Sequence, residues 1–179
     1  MWATTRIAVT DKVLDTAALI SWPINRLNGC YAMPSQKNEL FNVNPEEEIK
    51  IDSAQIMWMI PDDKSMEIAT NIAISTGDMA GLSEIDLGIL ALSIDLEKTL
   101  VTDDYRLQNL AEKAGIEWMT VTTEGIKQLW TWELKCIACK KIYPQPKKPN
   151  LKKSDWGECK ECGSKLRLKR IKGSHSDSS

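Results

Sequence analysis

Through the first 130 positions, short apolar runs alternate with stretches in which apolar residues recur every three or four places. Residues 6–14 are apolar and β-branched enough for a strand, which ends at Asp15. Residues 16–20 read as a short helix stopped near Pro23, because a proline pushes the residue before it out of the helical region. Pro34 suits a first helical turn and opens a second helix that runs through Glu39 to about Phe41. Glu46, Glu47 and Glu48 read as a solvated loop, and residues 53–60 as a strand closed by Pro61. From Asp62 onward, Met66, Ala69, Ile72 and Ala73 fall at helical spacing up to Gly77. Ser83 is a good N-cap for the clearest helix, whose buried face is Leu87, Leu90, Ala91 and Ile94. A short buried strand at 100–102, a helix at 105–114 capped by Gly115 and a last strand at 117–122 complete the pattern.

Alternating strands and helices predict an α/β domain over residues 1–130, with a mainly parallel sheet and helices on both faces. A domain of this size can bury its own core. The pattern then changes. Residues 131–170 are too few for a core, but Cys136, Cys139, Cys159 and Cys162 form two C-x-x-C pairs separated by 19 residues. Such knuckles converge on one tetrahedral zinc, with four thiolates and no open position, so this metal is expected to be structural. Zinc would supply the folding energy that the segment lacks. Residues 173–179 are small and polar, and a disordered tail is expected over 171–179.

Charge divides along the same line. Residues 1–130 hold 10 Lys/Arg against 20 Asp/Glu, and residues 131–179 hold 13 against 5. An acidic body with a basic arm points to a polyanionic partner, with Lys140, Lys141, Lys147, Lys148, Lys152 and Lys153 placed to meet phosphates. Tyr143 and Trp156 are candidates either for stacking on bases or for packing a small zinc core. Two close cysteine pairs plus Cys30 argue for metal binding in a reducing compartment, and no run approaches a membrane span, so a cytoplasmic protein is expected. Cys30 reads as a small buried apolar residue, and Trp22, Trp58, Trp118 and Trp130 as packing residues. The one histidine, His175, lies in the tail. That removes the usual serine, cysteine and paired-histidine mechanisms, so that in a hydrolase carboxylates and a metal must do the work.

The carboxylates fall where such chemistry needs them. Asp15 follows the first predicted strand and Asp103-Asp104 a later one, and parallel strands share the edge where ligands bind. Asp86 in a first helical turn and Glu39 on the second helix can close a ring. An acid at a strand end also serves as a helix N-cap, which accounts for each of these alone. Together they repel unless a cation sits among them, and hard oxygen donors favour Mg²⁺ or Mn²⁺.

The segment Val13-Leu14-Asp15-Thr16-Ala17-Ala18-Leu19-Ile20 resembles the opening of PIN-domain nucleases, as do the later Leu82-Ser83-Glu84-Ile85-Asp86 and Val101-Thr102-Asp103-Asp104-Tyr105. Thr76-Gly77-Asp78, Gln108-Asn109 and the four-cysteine ribbon narrow the resemblance to the Nin-one-binding-protein family. The resemblance implies a PIN-like three-layer fold with a small zinc ribbon, which toxin-type relatives lack. It implies metal-dependent cleavage of single-stranded RNA at the 3′ end of precursor small-subunit ribosomal RNA. Its partners would be the pre-ribosomal small subunit and an RNA-binding assembly factor. By the same resemblance Asp15, Glu39, Asp86 and one or both of Asp103 and Asp104 hold Mn²⁺ or Mg²⁺. Asp78 is a more distant ligand, and Thr102 holds the carboxylate of the first strand or a water. Glu46 to Glu48 are alternatives to Glu39. The competing reading is a PIN-like adaptor that binds ribosomal RNA without cutting it.

Overall fold

The computed structural model describes residues 10–43, 45–122, 130–144 and 156–172. Five strands, β1 (Lys12–Leu14), β2 (Tyr31–Ala32), β3 (Met57–Trp58), β4 (Thr99–Val101) and β5 (Trp118–Met119), form a sheet in the order β3-β2-β1-β4-β5. Every pairing in it is parallel. Parallel neighbours need crossovers, and these contain α1 (Thr16–Ser21), α2 (Ile24–Leu27), α3 (Pro34–Val43), α4 (Glu47–Ser53), α5 (Asp63–Thr76), α6 (Glu84–Leu96) and α7 (Tyr105–Ala114).

Side chains alternate across the sheet and give each face its own core. Val13 and Leu100 pair in register and pack with Ala69, Ala73, Leu90 and Leu107, from α5, α6 and α7. Leu14 and Val101 point the other way, against Ala18, Leu19, Leu40 and Ile51. The three predicted layers are present. Helix α6 is buried continuously over residues 87–93, so it is enclosed on several sides rather than half-solvated.

Local chemistry sets the boundaries. Asp62 and Ser83 accept the amides of Ser65 (2.7 Å) and Asp86 (3.0 Å) as N-caps, and Gly77 and Gly115 end α5 and α7 in the left-handed region. Helix α7 has the predicted span. The acidic run differs from its predicted loop. Glu46 is the N-cap of α4, with Glu47 and Glu48 in its first turn, where negative charge meets the positive helix end. The predicted strand at 53–60 shrinks to Met57–Trp58 because Ser53 closes α4, and the last strand shrinks to Trp118–Met119. The apolar period does not reveal α2 or β2, which are too short to show one. The start of the first predicted strand, residues 6–9, lies outside the described residues.

A second sheet follows. Strands β6 (Trp130–Cys136), β7 (Ile142–Tyr143) and β8 (Leu166–Lys172) pair antiparallel in the order β7-β6-β8. Its core is Leu134, Cys136, Cys159 and Leu166, with Tyr143, Trp156 and Leu168 against it. No helix among the described residues is long and apolar enough to cross a membrane.

Candidate functional site

Strands β1 and β4 adjoin at the middle of the sheet, and from there the chain proceeds outward in opposite directions, to β2 and β3 or to β5. The crevice beyond such a switch point is the usual ligand site of α/β sheets. Pairing of Leu14 with Val101 sets Asp15 beside Thr102 just past the strand ends, with the Asp15 amide donating to Val101 O at 3.0 Å. Oδ1 of Asp15 accepts the Ala18 amide at 3.0 Å as the α1 N-cap, and Oδ2 accepts the Thr102 hydroxyl. Thr102 Oγ1 accepts in turn from the Asp104 amide at 3.0 Å. Burial pushes the Asp15 carboxyl above the ordinary carboxylate range. Thr102 and the amides of Ala18 and Ala17 oppose the push, and the Asp103 charge adds to it. A buried carboxylate with a like charge nearby gains from a cation, and its oxygens suit a hard divalent ion.

The other acids stand around this edge. Glu39 Oε2 lies 3.5 Å from the Thr16 hydroxyl, next to the helix that Asp15 caps. Of the alternative acids on α4, Glu47 pairs with Lys50 at 2.5 Å. Asp86 Oδ2 accepts the Ser83 amide at 2.9 Å and completes a capping box. Gly88, two residues further on, faces Met33, which directly follows β2, so the start of α6 overhangs the same sheet edge. Asp103 accepts the amides of Val121 (2.8 Å) and Thr122 (3.1 Å) and the Thr122 hydroxyl (2.7 Å), which ties down the chain after β5. Asp104 caps α7 through the Arg106 amide at 2.7 Å. Asp15, Asp86, Asp103 and Asp104 are thus each a cap or turn anchor within the fold. Asp15, Thr102 and Asp104 form one connected group with Glu39 near it.

Two buried glutamines stiffen the edge, and composition alone does not single them out. Gln36 Nε2 donates to Leu14 O at 3.0 Å while its Oε1 accepts the Met33 amide at 2.8 Å. Gln108 Nε2 donates to Thr102 O at 2.9 Å. Each satisfies a carbonyl where a central strand stops. The signal available in sequence is a polar residue on the apolar face of a helix, such as Gln108 between Leu107 and Leu110.

Asp78 lies elsewhere. It is fully buried in a 3-10 turn after α5, where Asn109 Nδ2 donates to Oδ2 at 3.0 Å and the Trp132 indole of β6 also donates to the carboxylate. Arg106 Nη1 stands 3.9 Å from Oδ1. Burial raises its carboxyl to about 6, against the hydrogen bonds of Thr76 and Asn109, the Arg106 charge and the Trp132 indole. Unfolded, this acid ionises near 3.8, so between 3.8 and about 6 the folded chain holds more protons. Its share of stability therefore falls as pH rises through that window. Asp78→Asn is expected to flatten this part of the stability profile, read from urea unfolding midpoints across the window.

The cysteines form a closed site. Cys136 and Cys139 leave β6, Cys159 and Cys162 precede β8, and the four Sγ atoms lie within 4.8 Å of one another. Sγ separations of 3.5 Å for Cys136–Cys162 and for Cys139–Cys159 are far longer than a disulfide. They approach the ~3.8 Å expected between thiolates around a tetrahedral zinc. Among the described residues this is the one group of three or more metal-ligating side chains that meet at a point. Lys140 and Lys141 are described on the first knuckle, Lys141 paired with Glu161. Lys147, Lys148, Lys152, Lys153 and residues 173–179 lie outside the described residues, while Ile171 and Lys172 of the predicted tail belong to β8.

Comparison with known proteins agrees with this arrangement. Residues 13–96 match the family model "PIN domain of ribonuclease". The chain is 33% identical over 137 residues to Ribonuclease VapC1 of Thermoplasma acidophilum, covering 76% of this chain and 71% of that protein. It is 32% identical over 163 residues to Endoribonuclease Nob1 of Methanocaldococcus jannaschii, covering 90% of this chain and 78% of that protein. It is 27% identical over 104 residues to the 20S-pre-rRNA D-site endonuclease nob1 of Schizosaccharomyces pombe, covering 56% of this chain and 27% of that protein. A match over 90% of the chain cannot fit within the first 130 residues, so it takes in much of the cysteine ribbon. The chain belongs to the Nob1 family of PIN-domain endoribonucleases.

Proposed function

We propose that this endoribonuclease uses Mn²⁺ or Mg²⁺ to mature the 3′ end of small-subunit ribosomal RNA, acting in the cytoplasm on the pre-ribosomal small subunit with an RNA-binding assembly factor. Residues 1–130 form the nuclease and residues 131–170 a zinc ribbon that helps hold RNA. The observation that carries this reading is Asp15, buried at the switch point and held by Thr102, in a chain whose cysteine ribbon also falls within the Nob1 match. The fission-yeast relative, named for a pre-rRNA cut, supports the substrate. Asp15, Glu39, Asp86, Asp103 and Asp104 hold the divalent ion, which when bound activates water and neutralises charge on the phosphodiester. The protein's part is positional. Thr102 and the α1 amides fix the Asp15 carboxylate, the two glutamines fix the strand ends beneath it, and Lys140 and Lys141 meet phosphates. Hydrolysis by this route leaves a 5′-phosphate and a 3′-hydroxyl.

The test is incubation with RNA spanning the 3′ end of the small-subunit precursor, with Mn²⁺ or with chelator. Metal-dependent cleavage with those end groups is expected. Tight binding without a cut, at any metal concentration, would instead favour the adaptor.

A further inference from the structure

A cavity of about 580 Å³ lies where the ribbon meets the nuclease domain, within the size range of ligand sites. Asp104 and Arg106 line it from the start of α7, Trp132 from β6, and Trp156 and Arg167 from the second knuckle and β8. Asp104 shares Thr102 with Asp15, so the mouth opens beside the carboxylate edge. The wall is braced. The Arg106 guanidinium lies over Trp132 at 4.3 Å from the ring centroid, with Asp78 behind both. Gly81 leaves the room this needs, since a Cβ there would stand 1.9 Å from Arg106 Nη1.

Arg167 is exposed and Trp156 half-buried, so both offer surface to a ligand. A smaller cavity of about 290 Å³ shares Arg167 and continues along the ribbon past Lys135, Lys140 and Lys169. Indole faces and guanidinium groups followed by a row of cations suit a strand of alternating bases and phosphates. They suit an acidic peptide less, since it offers nothing flat to stack.

We propose that this junction cavity binds one nucleotide of the single-stranded RNA adjoining the one being cut. Its base stacks on Trp156, its phosphate meets Arg167, and the strand continues over Lys135 and Lys169. The identity of the strand rests on the nuclease reading above.

Binding of a short fluorescent oligouridine to the full zinc-loaded chain carrying Asp15→Asn tests this separately from cleavage. Adding Arg167→Ala is expected to weaken binding roughly tenfold. It should also reduce the slope of log affinity against log salt by about 0.7, the effect of one phosphate contact on a single strand. In fluorotryptophan-labelled chain, the Trp156 and Trp132 resonances should move on adding RNA while that of Trp22 does not. Unchanged affinity in Arg167→Ala, a still Trp156 resonance, or equal competition by polyglutamate would overturn the proposal. An Arg167 effect on binding, together with no RNA cleavage in Mn²⁺ by the chain that keeps Asp15, would leave the subsite standing and remove the nuclease reading.

Discussion

Asp15→Asn is expected to reduce RNA cleavage at least about 10²- to 10³-fold, the scale of loss when one preorganised charged group is taken from a reaction site. The amide keeps the shape and can still accept the Ala18 amide as an N-cap. It offers the ion a neutral, weaker ligand. Stability should move the other way. Burial raises the folded carboxyl above its unfolded value, so the folded chain binds more protons across that interval. Without divalent metal, the ionised side chain therefore costs stability at neutral pH, and the deficit shrinks as pH falls through the folded value and is gone below the unfolded one. An amide cannot ionise and avoids it. The variant should then unfold at a temperature equal to or above that of the unaltered chain, measured by circular dichroism at neutral pH in metal-free buffer. Loss of cleavage together with a lowered unfolding temperature would show that Asp15 acts mainly as a structural cap.

The second large effect is expected at the ribbon. Four buried apolar or thiol side chains are a small core for three strands, and structural zinc supplies about 10–16 kcal/mol in comparable small domains. Removing zinc, or replacing Cys159 with serine, should unfold β6, β7 and β8 while the five-stranded sheet persists. The two sheets have separate cores, so amide exchange should rise across β6, β7 and β8 and stay slow at Val13 and Leu100. Trp132 would leave Asp78, and that buried carboxylate would lose one of its donors. Binding of long RNA should weaken, because Lys140 and Lys141 on the first knuckle would lose their fixed places. Metal analysis should return one zinc per folded chain.

How much of this is legible in sequence depends on how local the determining contacts are. The four cysteines are legible because zinc geometry needs only ligand type and spacing. Asp15 is legible because a strand, an acid and a helix follow one another without a gap. Helix α4 is not: three glutamates look solvated, and only Ile51 marks its buried side. The surroundings of Asp103 are not legible either, since Val121 and Thr122 reach it only once β5 lies beside β4. Asp78 meets Trp132 across two domains, and no periodicity links positions so far apart. Resemblance suggests a distant ligand at Asp78; the contacts this residue makes are with Asn109, Arg106 and Trp132.

The central claim is that carboxylates at the β1–β4 switch point hold the ion that cuts RNA. Paramagnetic broadening of backbone amides by substoichiometric Mn²⁺ in the zinc-loaded chain tests it most directly. Broadening should centre on the amides of residues 15–18, 86 and 102–104, and fall sharply in Asp15→Asn. Broadening centred instead on the exposed acids of α4, or unchanged by Asp15→Asn, would contradict the account.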